Sequence, residues 1–205
     1  MSERAQATDY DPATFAFYER EAAIYTSRPH DGRFPWLWRF LDDLAPGAEI
    51  LELGCGGGRD AEEMIRLGFR VTPTDGSPAM AAQAEQRLGM PVRVMTFDAL
   101  AAEAEFDAVW ASASLLHARA AALRDIFASI RQALRPGGRF CAGFKSGDGE
   151  GYDRLGRYYN FPTEAALRAA YAAAGPWRSL DIEHEEGSGY DGVRRNWLIC
   201  LAVRP

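Results

Sequence analysis

The stretch Ile50-Leu-Glu-Leu-Gly54-Cys-Gly56-Gly-Gly58-Arg-Asp-Ala-Glu-Glu-Met64 joins a short apolar run to a cluster of glycines and then to a helical pattern. A strand that ends in glycines and re-enters a helix brings a ligand against bare backbone. Glycine has no Cβ, so the turn takes positive φ and the main-chain amides lie open, while the helix N-terminus adds partial positive charge. Asp75 follows twenty-one residues after Gly54, at the end of the next apolar run, where ribose-binding acids sit in doubly wound folds. The pattern points to an adenosine ligand.

Outward from this loop, short apolar runs alternate with helical stretches, the sequence form of a parallel sheet with crossover helices. Strands are expected at Ile50–Leu53, Arg70–Thr74, Val92–Met95, Ala108–Ala111 and Arg139–Phe144, with helices at Arg59–Leu67, Ala79–Leu88 and Leu123–Leu134. Pro73 lacks a backbone donor and weakens the second strand. Leu134-Arg-Pro-Gly-Gly138 reads as a helix stop followed by a turn. Upstream, Phe15, Tyr18, Ala22 and Tyr25 share one stripe of a helix, and a second helix, Trp36–Leu44, stops at Ala45-Pro46-Gly47. Downstream, a helix over Thr163–Ala174 precedes Ser179–His184 and Trp197–Val203, which the turn-rich Gly187–Gly192 segment joins as an antiparallel hairpin at a sheet edge.

The 205 residues, 47% hydrophobic and 25% charged, suit a single domain with one sizeable core. We divide it into an N-terminal helical lid (1–46), a ligand-binding core (47–145) and an acceptor-side loop, helix and hairpin (146–205). A net charge of −6 is the wrong sign for binding a polyanion by phosphate neutralisation. Cys55, Cys141 and Cys200 form no CxxC pair, so neither a disulfide framework nor a metal site is implied, and a reducing cytoplasm fits. The polar, acidic N-terminus lacks the form of a signal peptide, and no apolar run is long enough for a membrane span.

A dinucleotide fingerprint starting at Gly54 needs glycine at 59, where the chain has Arg59. Glu52, two residues before the first glycine, repels a pyrophosphate but suits ammonium and sulfonium groups, which favours S-adenosylmethionine over NAD.

Glu52-Leu-Gly54-Cys-Gly56-Gly-Gly58, Thr74-Asp75-Gly-Ser-Pro-Ala-Met80, Thr96-Phe-Asp98, Phe106-Asp-Ala-Val-Trp-Ala-Ser112, Leu115-Leu-His117 and Leu134-Arg-Pro-Gly-Gly138 follow one another across about residues 47–145. In that order they resemble the motifs of class I S-adenosylmethionine-dependent methyltransferases, nearest the tellurite-resistance-like methyltransferase-domain proteins. The resemblance implies an α/β, doubly wound, seven-stranded sheet, mostly parallel with an antiparallel C-terminal hairpin strand, in three α/β/α layers. It also implies methyl transfer to a small-molecule acceptor, with S-adenosylhomocysteine as the product.

The same resemblance lays the methionine part of the cofactor over Gly54, Cys55, Gly56 and Gly58, with Glu52 supporting the loop or receiving the amino group. Asp75, with Gly76 and Ser77, takes the ribose; Met80 lies beside adenine; Phe97 and Asp98 meet the adenine amino group; Ala111 and Ser112 border the reactive methyl; and Tyr25 contacts ligand from the lid. Read from the residues alone, Met80 is equally a core side chain, Cys55 a small packing residue, Asp98 an N-cap, Glu52 a cap or arginine partner, and Asp107 structural.

His117, after the fourth strand, is the candidate base, because an unperturbed imidazole titrates near neutrality. His30 and His184 have no neighbours that suggest chemistry. Lys145, Arg157, Tyr158 and Tyr159, in a glycine-rich loop after the fifth strand, and Arg195 near the last, are expected in the acceptor pocket, where two cations would hold a carboxylate or oxyanion. The chain is expected to be a monomer or homodimer with no membrane partner, and nucleic acid is disfavoured. The alternatives are a methyltransferase of protein or RNA, a non-catalytic S-adenosylmethionine-binding protein, and an NAD oxidoreductase.

Overall fold

The computed structural model describes residues 10–29 and 35–205; His30 lies outside them. The first helix, α1 (Pro12–Ser27), begins where Asp11 accepts from the Thr14 amide at 2.9 Å and Pro12 supplies a helical φ with no donor to satisfy. It is followed by α2 (Pro35–Leu41), shorter than expected, and then by the alternating core. That core comprises β1 (Glu49–Leu53), α3 (Arg59–Arg66), β2 (Arg70–Asp75), α4 (Pro78–Leu88), β3 (Arg93–Val94), β4 (Phe106–Ala111), α5 (Leu123–Ala133) and β5 (Leu134–Lys145). The remainder holds β6 (Gly151–Tyr152), β7 (Tyr158–Tyr159), α6 (Glu164–Ala173), β8 (Ser179–Ser188) and β9 (Arg194–Val203).

Seven strands form one sheet in the order β3-β2-β1-β4-β5-β9-β8, parallel from β3 to β5 and antiparallel at β9 and β8. The order reverses at β1, so the carboxyl ends of β1 and β4 open a crevice. Successive strand residues point to opposite faces. Leu51, Leu53, Val109 and Phe140 meet Phe127 of α5 and Tyr171 of α6 on one face; Ile50, Ala108 and Trp110 meet Phe40 of α2 and Met64 of α3 on the other. Phe127 and Tyr171 stack with ring centroids 4.2 Å apart. Truncating Phe127 to alanine at this fully buried site would cost about 3–5 kcal/mol.

Several local expectations change. Pro73 does not shorten β2. The Thr74 carbonyl accepts from the Gly54 and Cys55 amides, so by strand alternation the donor that Pro73 lacks would face the other side, where β3 begins only opposite Thr74. The strand expected at Val92–Met95 contracts to Arg93–Val94, because the Val92 amide donates instead to the Glu85 carboxylate. The turn expected within Leu134–Gly138 is absorbed into β5: the helix stops at Ala133, and the strand starts at once with a register shift opposite Phe106 and Ala108. The C-terminal hairpin extends to Ser188 and starts again at Arg194, with β9 inside the sheet and only β8 at the edge. The two-residue ladder of β6 and β7 was not anticipated.

The Tyr10–Ala118 bridge pins the entry of α1 beside the loop after β4, and α1 then packs along α4 over the crevice. Its Glu19 accepts from the Ala79 amide at 3.0 Å and from the Ser77 hydroxyl, so a carboxylate sits at the positive end of α4.

Candidate active site

Between the crevice and α1 lies a cavity of about 260 Å³. The glycine loop forms its floor. Gly54 and Gly56 have φ of +78° and +56°, and a Cβ on Gly54 would collide with Ser114, whose hydroxyl donates to the Leu53 carbonyl at 2.6 Å. A Cβ on Gly57 would fall 2.7 Å from Thr26 Cγ2, so this glycine lets α1 sit directly on the loop.

Asp75, at the end of β2, accepts from the Gly56 amide at 2.9 Å through Oδ2 and from the Ser77 amide at 2.9 Å through Oδ1. Each oxygen keeps a second acceptor site. Burial raises its pKa to about 6, against the pull of those two amides. Glu52 is buried in the same wall, and its Oε2 has no hydrogen-bond partner among the described residues. Burial, followed by the like charges of Asp60 and Asp75, holds its carboxyl well above the usual range. Arg59, also in the wall, donates to the carbonyls of Thr26, at 3.1 Å, and Arg28, at the carboxyl end of α1.

The Tyr25 ring stacks on Tyr190 with centroids 4.5 Å apart and meets Tyr18 edge-on. His117 Nδ1 lies 2.7 Å from the Tyr158 carbonyl and Nε2 lies 2.9 Å from the Tyr18 hydroxyl. Burial is the main reason its pKa falls to about 3, with Arg157 and Lys145 adding to the depression.

Of the expected cofactor residues, Tyr25, Glu52, Gly54, Cys55, Gly56, Asp75, Gly76, Ser77, Met80, Phe97 and Ser112 line the cavity, as does His117. Gly58, Asp98 and Ala111 do not. Gly58 caps α3 at φ +76°, where a Cβ would press on Ala84 and Leu88; Asp98 is exposed in a 3₁₀ turn; Ala111 is in the core. Burial lifts the Cys55 thiol far above its ordinary range, which removes it as a nucleophile.

The expected acceptor residues are placed differently. Lys145, Arg157, Tyr158, Tyr159 and Arg195 are not in the cavity wall; the first four are buried behind α1, and Arg195 is half-buried beside them. Arg157 and Asp153, each 1% exposed, pair at 2.7 Å. Lys145 sits 4.1 Å from the Tyr159 ring centre and 3.7 Å from Asp191, which also faces Arg195 at 3.9 Å. The Tyr158 amide donates to Thr14 Oγ1 at 2.7 Å, and its hydroxyl bonds Glu150. Arg157 is paired with Asp153, and Lys145 and Arg195 share Asp191, so these cations are engaged within the fold and do not face the cavity as the expected carboxylate clamp. The described charges on the cavity wall are instead Asp11, Glu52, Asp60 and Asp75 against Arg59. His184 pairs with Glu164 on the surface.

Sequence reasoning missed Asp11, Thr14 and Ser114 as wall residues. The first two carried a signal, since Asp-Pro-x-Thr is a helix-start pattern, but nothing local says that this start borders a cavity. Ser114 follows Ala113, a non-glycine residue at φ +51°, which turns the chain under the glycine loop.

A parallel sheet that reverses at β1, with a glycine loop and a ribose-type acid at the switch point, defines a nucleoside-binding doubly wound protein. Residues 50–138 match the family model described as "Methyltransferase domain". A ubiquinone biosynthesis O-methyltransferase of Roseobacter denitrificans is 42% identical over 162 residues, 66% of this chain and 64% of that one. The chain spans less than two thirds of the curated relatives it matches, only 41% of one from Xanthomonas campestris. Among solved structures, the Burkholderia thailandensis 1,6-didemethyltoxoflavin-N1-methyltransferase with bound 1,6-didemethyltoxoflavin and S-adenosylhomocysteine aligns at TM-score 0.64 and 25% identity, covering 100% of this chain and 98% of that one. A Methanosarcina mazei S-adenosylmethionine-dependent methyltransferase aligns at TM-score 0.72 and 17% identity over 84% and 98%. Residues 50–138 thus carry a match to a methyltransferase domain, and the chain has the fold of the S-adenosylmethionine-dependent methyltransferases to which it is similar. Among the described residues, no helix is long and apolar enough to cross a membrane.

Proposed function

We propose that this chain transfers a methyl group from S-adenosylmethionine to a small-molecule acceptor and releases S-adenosylhomocysteine. The observation that carries the reading is the buried, unpartnered Glu52 Oε2 in the cavity wall, an orphaned carboxylate that fits a ligand bearing an ammonium group. Asp75, with its two free acceptor sites, suits the ribose hydroxyls; Met80 and Phe97 suit the adenine faces; and the backbone from Gly54 to Gly56 suits the methionine chain. When bound, the cofactor supplies an electrophilic methyl on sulfonium. The protein's contribution is to orient the two reactants and exclude water, so a dedicated catalytic residue is optional.

Enclosure beneath α1 favours a small acceptor over a polymer, and relatives named for ubiquinone biosynthesis and didemethyltoxoflavin methylation act on small molecules. The lid, core and acceptor side are read as one domain, and three buried thiols agree with a reducing cytoplasm. Calorimetric titration with S-adenosylmethionine, S-adenosylhomocysteine and NAD, with Asp75→Ala as control, tests the reading. Binding of the first two alone, lost in the variant, is expected; binding of NAD alone, or of none, overturns it.

A further inference from the structure

Three groups from distant parts of the chain meet at one edge of the cavity: the half-buried Tyr18 on α1 and His117 after β4, and the buried Arg157 just before β7. Their hydrogen bonds have one consistent direction. A guanidinium only donates, so the 3.0 Å contact makes Arg157 Nη1 the donor and Tyr18 Oη the acceptor. The Tyr158 carbonyl only accepts, so His117 Nδ1 carries a proton. In a neutral ring Nε2 is then an acceptor, and the single proton of Tyr18 points at it. Tyr18 Oη keeps a second lone pair, and both Tyr18 and His117 line the cavity.

We propose that Tyr18 and His117 form a proton relay for a hydroxyl acceptor, and that Arg157 is the positioning residue that fixes its direction. This rests on the methyltransferase reading. The acceptor's proton passes to Tyr18 Oη as the Tyr18 proton passes to His117 Nε2, leaving an imidazolium. The bond formed joins the acceptor oxygen to the methyl carbon; the bond broken, methyl to sulfur, leaves its electron pair on sulfur. The proton returns to solvent when product leaves.

The acceptor class follows from how weak a base His117 is. Tyr18 faces it from α1, Arg157, Tyr158 and Tyr159 from the β6–β7 segment, and Lys145 from β5. Burial and the Arg157 and Lys145 cations oppose protonation and outweigh the Tyr158 carbonyl and Asp153, which favour it. An oxygen that has gained a methyl while still holding its proton is a very strong acid and loses that proton even to a base titrating at about 3. A methylated aliphatic amine holds its proton at about 10 and gains nothing from such a base. The wall carboxylates Asp11, Asp60 and Asp75 also repel anionic acceptors. The structure therefore favours neutral phenolic or enolic hydroxyls over carboxylates and alkyl amines.

The chain has three histidines, so ¹⁵N-labelled protein resolves His117 by long-range proton–nitrogen spectra, with His117→Gln giving the assignment. Expected is a proton on Nδ1, a bare Nε2, and no titration between pH 5 and 8. Removing Arg157 alone would strand Asp153 in the interior, so the partner variant is Asp153→Asn with Arg157→Met. In it Tyr18 loses the donor that directs its hydroxyl, so the bare Nε2 signal should shift toward that of an imidazole nitrogen with no hydrogen bond while Nδ1 keeps its proton, whereas Arg157→Lys should restore the wild-type pattern in part; an unchanged Nε2 signal in the double variant overturns the positioning role. Wild-type His117 protonated on Nε2, or titrating near 6.5, overturns the relay. With methyl-labelled S-adenosylmethionine, catechol should be methylated at least tenfold faster than benzylamine; the reverse order overturns the acceptor class. Absence of S-adenosylhomocysteine binding to wild-type protein instead removes the methyltransferase reading and leaves the histidine result standing.

Discussion

The two sides of the cavity are built in opposite ways. The cofactor side is assembled from two short segments, residues 52–60 and 75–80, whose chemistry lies in backbone amides, glycines at positive φ and acids within or next to the same motif. The lid side draws on α1, the turn after β4, the β6–β7 ladder and the β8–β9 turn, and its chemistry lies in side chains that meet across more than ninety residues, such as Tyr18 with His117. One side is a local device; the other depends on buried charges being neutralised at a distance. Damage to the first should show in ligand binding, and damage to the second in stability and in the response to pH.

Asp153→Ala tests that contrast hardest. It leaves the Arg157 guanidinium without its buried partner, and urea unfolding should show a loss of about 3–5 kcal/mol. Gly54→Ala comes next, because both the backbone at φ +78° and the Ser114 side chain oppose a methyl group there. A loss of about 2–3 kcal/mol is expected, with S-adenosylhomocysteine affinity falling at least tenfold by calorimetry; Gly56→Ala, with only Met80 Cε at 3.6 Å, should be milder.

The third prediction concerns pH. His117 titrates lower in the folded chain than in the unfolded one, so the unfolded state binds more protons between about pH 6.5 and 3. Its contribution is complete above the unfolded value and is lost as pH falls. Relative to His117→Asn, wild type should lose about 2 kcal/mol between pH 6.5 and pH 5; parallel stability curves for the two proteins would refute a neutral buried imidazole. Asp75, raised to about 6, acts in the opposite sense in both proteins and cancels from the comparison.

The smallest effect is Glu52→Gln. The raised carboxyl costs nothing below its unfolded pKa and progressively more as pH rises. The variant should therefore gain about 1 kcal/mol at pH 8 and nothing near pH 4, while binding S-adenosylhomocysteine more weakly. A gain in stability with no loss of affinity would mean that the orphaned carboxylate is not there for a ligand.

The legibility of the two sides follows the same division. Residues 50–64 and Asp75 could be read directly, because a glycine's freedom and an acid at the end of a strand act within a few residues. The strand order followed from the alternation of short apolar runs with helices, down to the antiparallel hairpin. Pro73 misled because proline's missing donor matters only on the side where a neighbour waits. Lys145, Arg157 and Arg195 misled for a deeper reason: a cation near a glycine-rich loop has the same local sequence whether it faces a ligand or an internal acid. Asp153 and Asp191 make that choice, and they do so only when the β6–β7 ladder and the β8–β9 turn close behind α1.

Sequence alone determined the doubly wound class, the glycine loop and the acids that select the nucleoside ligand, since each rests on backbone geometry or patterning set by neighbours along the chain. Tertiary structure alone decided that Lys145 and Arg157 are internal, that the cavity wall is acidic, and that His117 is held neutral with Nε2 toward Tyr18. Those properties depend on desolvation and on hydrogen-bond partners brought from distant segments, and neither exists until the chain has folded.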